Sequence, residues 1–197
     1  MTSPLRNSLL IILFTLFFAN HTKAQPRVGK YINVSVGLGL SSSYNIENYG
    51  NQDELEVDGD GFFAQGEYII GISKWFGIRP YAGLLLTSSD GGNPQGEPNY
   101  KITTDVFMLG AKARLCAPIP YVAPFIELGI GTSIGSFHTF TPSTNYKKST
   151  VLMHVPVSFG LAVGRHHNIE LALSYYMTPA ANQISGAVAL GYSFPIN

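Results

Sequence analysis

The feature that most restricts the fold of this chain is a two-residue alternation of apolar with polar or small residues, repeated in eight segments. In the first segment, Ile32, Val34 and Leu38 alternate with Asn33 and Ser35. Because successive side chains of a β-strand point to opposite faces, each segment forms a strand with one apolar and one polar face. The pattern predicts eight strands, at about 30–41, 61–73, 77–88, 103–115, 121–137, 150–164, 169–177 and 184–194.

The connections between these segments alternate in length. They are long and polar after the first, third and fifth segments, short but polar after the seventh, and tight after the second, fourth and sixth. Barrels of the bacterial outer membrane have short periplasmic turns and longer extracellular loops. The sequence therefore predicts an all-β fold, an eight-stranded antiparallel up-and-down transmembrane β-barrel with its N-terminus on the periplasmic side.

The composition agrees with this prediction. Charged residues make up 12% of the chain, about half the share that is usual in soluble domains. Without helices, only a closed barrel can satisfy every backbone polar group in lipid. The chain has no excess of basic residues to attract nucleic acid. Its single cysteine, Cys116, excludes an internal disulfide framework.

The N-terminus has the features of a secretory signal. Arg6 precedes an almost purely apolar run, Leu9–Phe18, and Ala24 supplies the small residue at a cleavage site. The apolar run is shorter than the roughly 20 residues that a membrane-spanning helix needs. We predict a signal peptide over 1–24 and a single barrel domain over 25–197, exported to the outer membrane.

Three glycine-rich or aromatic motifs accompany the alternation: VGLGL in the first segment, ELGIG in the fifth and GYSF in the last. Together with the strand pattern they resemble eight-stranded outer-membrane barrels of the OmpA transmembrane-domain and OmpX type. The resemblance covers essentially the whole chain after residue 24. It implies contact with outer-membrane lipid, and assembly by the barrel-assembly machinery, which reads an aromatic near the C-terminus. Phe194 matches that aromatic, although three further residues follow it.

Six charged residues fall on the polar faces of the predicted strands, and three are acidic and three basic. An eight-stranded barrel is just wide enough for side chains to fill it, and charges buried there need opposite charges beside them. We therefore predict a lumenal charge network that plugs the barrel, with a proton or ion pathway as the alternative. The six residues are Glu67, Arg79, Lys112, Arg114, Glu127 and Glu170.

Aromatic residues gather at the predicted turns and near the end of the chain. Their placement is typical of the aromatic girdle of a membrane barrel, and the alternative is an ordinary aromatic core. Asp105 falls on the outward face of the fourth strand, which places it either beyond the lipid boundary or at a bulge that shifts the register. The predicted girdle residues are Trp75, Phe76, Tyr121, Tyr192 and Phe194.

The histidines do not form a convincing catalytic pattern. His154 and Ser158 share a face, but four strand residues separate them by roughly 13 Å, too far for a hydrogen bond. His166 and His167 fall in a predicted periplasmic turn. The acidic first loop lacks the residue spacing of a calcium loop. We therefore predict a non-enzymatic protein without a metal or another cofactor.

These observations predict an integral outer-membrane barrel with an envelope-structural role or a surface-interaction role. A surface partner would bind through the loops 42–59, 89–100 and 138–148. The first alternative is a lipid-modifying barrel enzyme. The second is a soluble, lipocalin-like binder, in which the apolar faces would point inward onto an apolar ligand. The low charge and the alternating loop lengths favour the membrane barrel.

Overall fold

The computed structural model of the protein describes residues 28–44, 56–91, 100–140, 145–181 and 183–196. Each strand pairs antiparallel with the next, and the last pairs with the first, so that the sheet closes into a barrel. The predicted fold class is confirmed. The strands are β1 (Gly29–Tyr44), β2 (Glu56–Gly71), β3 (Phe76–Gly91), β4 (Tyr100–Cys116), β5 (Val122–Phe140), β6 (Asn145–Val163), β7 (Ile169–Thr178) and β8 (Gln183–Ile196).

The N-terminal segment predicted as a signal peptide, residues 1–24, lies outside the described residues. Within the described ranges, no helix is both long and apolar enough to cross a membrane. The helical structure described there is a three-residue 3₁₀ turn, Pro179–Ala181, between β7 and β8.

On the strands of the barrel, the face that points away from the barrel axis is predominantly apolar. Leu38 is 67% exposed and Leu190 is 58% exposed, whereas Asn33 on β1 and Ser193 on β8 are buried in the lumen. An apolar surface that encircles the molecule would be very unfavourable in water. A soluble, lipocalin-like binder would instead have its apolar faces pointing into the lumen.

The height of the apolar surface matches a bilayer. On β5 it runs on the outward face from Val122 to Ile134. At a rise of about 3.3 Å per residue and a tilt of about 40°, this length spans about 30 Å along the barrel axis. The hydrocarbon core of a bilayer is about 30 Å thick.

The strands extend further than predicted at the end with the long connections. Pairing continues to Tyr44 and Glu56 between β1 and β2, and similarly at the tips of the hairpins β3–β4 and β5–β6. The predicted loop boundaries were therefore wrong, and the connections shorten to 45–55, 92–99 and 141–144. Beyond the lipid both faces of a strand can be polar, so the alternation that marks a strand disappears while its hydrogen bonds continue.

Asp105 lies on the outward face in an unbroken register. It pairs with Leu86 of β3 and with Ser136 of β5, and the pairs on either side follow in sequence. This continuity excludes the bulge. Ser136 shares the outward face at this level, which marks the polar edge of the apolar band.

The rim of the barrel has unequal height. Pairing of β5 with β6 begins at Asn145 of β6, but pairing of β6 with β7 begins only at Val155. The intervening residues of β6 therefore pass the end of β7 at Thr178. Ten residues of a tilted strand correspond to roughly 25 Å of height.

Two neighbouring leucines of β3 test the assignment of the two faces. Leu85 is fully buried in the lumen, whereas Leu86 is 43% exposed on the outer surface. We expect L85A to lower the free energy of unfolding by about 3–5 kcal/mol, because it removes apolar contacts and leaves a cavity. We expect L86A to cost about 2 kcal/mol or less, because lipid can fill the vacated space.

Urea unfolding of both variants in lipid vesicles, followed by the mobility of unboiled samples on gels, measures the difference. Equal destabilisation of the two variants would contradict the assignment of the faces.

Candidate functional site: a charged layer in the lumen

Five strands bring the six predicted charged side chains together in the lumen. Glu67 lies on β2, Arg79 on β3, Lys112 and Arg114 on β4, Glu127 on β5 and Glu170 on β7. All six residues are at most 6% exposed. We call this group the charged layer.

Arg79 is the centre of the charged layer, because its guanidinium contacts all three carboxylates. Its Nε lies 2.6 Å from Oε2 of Glu67, and its Nη1 lies 3.0 Å from Oε1 of Glu127 and 3.0 Å from Oε2 of Glu170. Its Nη2 also donates to Oε1 of Glu170 at 3.3 Å. The planar fork of an arginine suits such a site, since its five donors point in fixed directions.

The other two cations complete the pairing of the carboxylates. Nζ of Lys112 lies 2.6 Å from Glu67 and 2.7 Å from Glu127. Arg114 contacts Glu127 through Nε at 2.6 Å and Glu170 through Nη2 at 2.8 Å. Each carboxylate thus contacts two or three cations. These multiple contacts offset the large free-energy cost of removing the charges from water.

The strand order explains how like charges can be neighbours. Arg79 of β3 and Lys112 of β4 stand directly opposite each other in the sheet. Glu67 on β2 and Glu127 on β5 flank them on either side, and Arg114 pairs across the sheet with Glu127. The cations therefore occupy two adjacent strands between strands that carry the acids.

Neutral polar groups make further hydrogen bonds to the carboxylates of the charged layer. Nδ2 of Asn33 donates to Oγ of Ser193, which in turn donates to Glu170. Nε2 of Gln65 donates to Glu67 at 2.6 Å, and the hydroxyl of Tyr176 donates to Oε1 of Gln65 at 2.9 Å. The charged layer is thus embedded in a wider polar network.

Apolar side chains close the lumen on both sides of the charged layer. Toward the tight turns lies a small cluster, and the Arg114 guanidinium stacks 3.5 Å above the centre of the Phe125 ring there. This stacking explains why Nη1 of Arg114 is buried without a hydrogen bond. Toward the long connections lies a larger cluster, formed by Phe63, Tyr81, Leu85, Val106, Met108, Phe137, Leu152, Tyr176, Ala187 and Ala189.

Little free space remains inside the charged layer. A cavity of about 20 Å³ is lined by Glu67, Lys112, Arg114 and their neighbours. A single water molecule needs roughly 10–15 Å³ by this measure, so the cavity holds about one water. The described lumen at this level is therefore filled by side chains.

His154 is held by partners that the sequence did not reveal. Its Nδ1 lies 2.8 Å from Oγ of Ser133, and its Nε2 forms a hydrogen bond with the hydroxyl of Tyr81. Ser158 instead bonds to Ser174, so the prediction that His154 and Ser158 do not pair is confirmed. No local motif signals the Ser133 pair, because it depends on the register between β5 and β6.

The Ser133–His154 pair has the features of a structural contact. His154 is 1% exposed and Ser133 is 2% exposed, so both side chains are buried in the lumen. Both ring nitrogens are already bonded. Within the described ranges, no group of three or more His, Cys, Asp or Glu residues could hold a metal ion. The acidic first loop falls largely outside those ranges.

The five predicted girdle residues lie at the end of the barrel with the tight turns. Trp75 is 57% exposed and its ring centre lies 5.9 Å from that of Phe76. Tyr121 is exposed in the turn before β5, and the rings of Tyr192 and Phe194 on β8 are 4.8 Å apart. The structure therefore places them as one aromatic rim.

No protein-family model matches the sequence, and no curated protein matches it at a significant level. Solved structures do match its fold. Neisserial surface protein A (NspA) is 14% identical, with 85% of this chain and 97% of that chain covered and a TM-score of 0.50.

Two further structures cover similar shares of the chain. Ail, the attachment invasion locus protein of Yersinia pestis, in complex with the heparin analogue sucrose octasulfate, is 16% identical, with 84% and 99% covered and a TM-score of 0.47. The N-terminal β-barrel domain of OprF from Pseudomonas aeruginosa is 8% identical, with 87% and 100% covered and a TM-score of 0.46. At these identities the likeness concerns the fold alone, and the match to NspA agrees with the predicted eight-stranded barrel.

Substitution of Arg79 tests its central position. We expect R79Q to lower the free energy of unfolding by about 3–5 kcal/mol, because three carboxylates would then share two cations in a buried site. R165Q is the matched control, since Arg165 is exposed in the turn between β6 and β7, and we expect it to cost less than about 0.5 kcal/mol.

Urea unfolding in vesicles measures both variants. An R79Q variant as stable as R165Q would show that the contacts of Arg79 contribute nothing to the folded state.

Proposed function

We propose that the protein is a non-enzymatic, non-conducting barrel of the outer membrane that anchors its long connections at the cell surface. The observation that carries this proposal is the filled lumen. Paired charges occupy its middle, and apolar clusters lie on both sides. A porin would require a continuous aqueous path, which an eight-stranded barrel rarely has room for.

The outer surface supports the proposed location. An apolar band of bilayer height ends in the aromatic rim at one side and in polar outward residues such as Asp105 and Ser136 at the other. Signal-directed export through residues 1–24, assembly by the barrel machinery and the connections 45–55, 92–99 and 141–144 as partner-binding segments belong to the same proposal. The closed lumen leaves these connections, rather than the interior, to make contact with a partner.

Reconstitution tests the absence of conduction. We expect vesicles that contain the protein to swell in small sugars no faster than protein-free vesicles, because the charged layer leaves no continuous path. A general diffusion porin in the same lipid serves as the positive control. Swelling at a rate near that of the porin would overturn the non-conducting part of the proposal.

Epitope insertion tests the orientation in the cell. We expect a tag inserted between residues 141 and 144 to bind antibody on intact cells, because this connection lies at the end opposite the aromatic rim. A tag inserted at Lys74, in the turn between β2 and β3, is the matched control and should bind only after permeabilisation. The reverse result would show that the connections do not face the cell exterior.

A further inference from the structure

The wall of the barrel has an interruption between β2 and β3. Cross-strand pairs continue to Glu67 and Tyr81 and resume at Ile70 and Ile78, but the positions between them are unpaired. Pro80 stands at this interruption. A proline has no N–H, so it cannot complete a ladder inside a sheet.

The register identifies the backbone group that loses its partner. Tyr68 lies opposite Pro80, so the carbonyl of Tyr68 lacks the cross-strand donor that any other residue would supply. On its other side, Pro80 keeps its pair with Ala111 of β4. Because Pro80 and Tyr68 face outward, this weak point lies in the lipid-facing wall, where water cannot replace the missing bond.

An ion pair joins the two strands on the inner side of the same interruption. Glu67 of β2 borders it and Arg79 of β3 lies within it, and Oε2 of Glu67 lies 2.6 Å from Nε of Arg79 in an ionic contact that does not have the geometry of a hydrogen bond. Both side chains are almost completely buried. The ion pair therefore holds β2 against β3 at the level where the backbone ladder does not.

A second interruption provides an internal comparison. Between β5 and β6 the ladder stops opposite Pro156, which is buried and points into the lumen. Among the described side chains, no ion pair joins β5 to β6. An ion pair thus spans the interruption at Pro80 and does not span the one at Pro156.

Other members of the charged layer can stabilise Glu67 and Arg79 when the ion pair between them separates. Arg79 is already 3.0 Å from both Glu127 and Glu170, and Glu67 is 2.6 Å from Nζ of Lys112. Arg79 and Glu67 can therefore separate while each keeps an oppositely charged partner. Separation avoids the large cost of an unpaired buried charge.

We propose that the Glu67–Arg79 pair is a latch on a weak seam between β2 and β3, and that the wall opens locally toward the bilayer when this pair separates. The seam opens without unfolding the remaining strands, because the ladders on its other sides are continuous. This inference does not depend on the proposed surface role.

Hydrogen exchange of the folded protein in lipid nanodiscs tests the latch, with amides resolved individually. The amides of Ile70 and Ile78, next to the interruption, should exchange faster than those of Gly110 and Lys112 in the continuous β3–β4 ladder. P80V restores the missing N–H in a residue that favours strands, and it should slow exchange at the seam about tenfold, as one recovered hydrogen bond allows.

The variant E67Q removes the latch while it keeps the size of the side chain. We expect it to speed exchange at the seam about tenfold or more, and P80V should suppress this increase in the double variant. P156A is the matched control and should leave exchange at Ile70 and Ile78 unchanged.

Unchanged exchange at the seam in P80V would overturn the proposal, and so would an increase in E67Q that is spread evenly over all strands. If E67Q does not fold, the comparison of P80V with the native protein and with P156A decides the question alone.

Discussion

The structure depends on one constraint, which is that every backbone N–H and C=O group within a bilayer needs a partner from the protein itself. A sheet meets this constraint only if its first and last strands pair, as β1 and β8 do here over almost their full length. Closure of eight strands then leaves an interior narrow enough for side chains to fill. The polar lumen, the apolar outer surface and the charged layer all follow from that geometry.

The charged layer adds specificity to this closed sheet. A shift of one residue in the register of a strand exchanges its two faces. Such a shift in β3 would move Arg79 into lipid and Leu86 into the lumen, and three carboxylates would lose their shared partner. The buried ion pairs therefore disfavour incorrect registers strongly, even where their net contribution to stability is small.

The fold and the six members of the charged layer could be predicted from the sequence, because both follow from the alternation of apolar with polar residues within each segment. The alternation of the neighbouring residues along each strand shows on which face each of the six charged residues lies. The pairing within the layer could not be predicted in the same way. Arg79 contacts residues on three other strands, and Ser133 meets His154 only through the register of two strands. Such contacts are set by strand order, tilt and closure, which a single alternating segment does not encode.

The extra length of β6 beyond the end of β7 gives the barrel a sloping upper rim. The 3₁₀ turn at Pro179–Ala181 lies at the low side, and the tip of the β5–β6 hairpin lies at the high side. A layer of lipid sugars roughly as thick as this difference in height would cover the low side and leave the hairpin tip in solution. In such a layer, the segment between β7 and β8 would be screened by neighbouring lipids, and the described end of the β5–β6 hairpin would be the more accessible part of the rim.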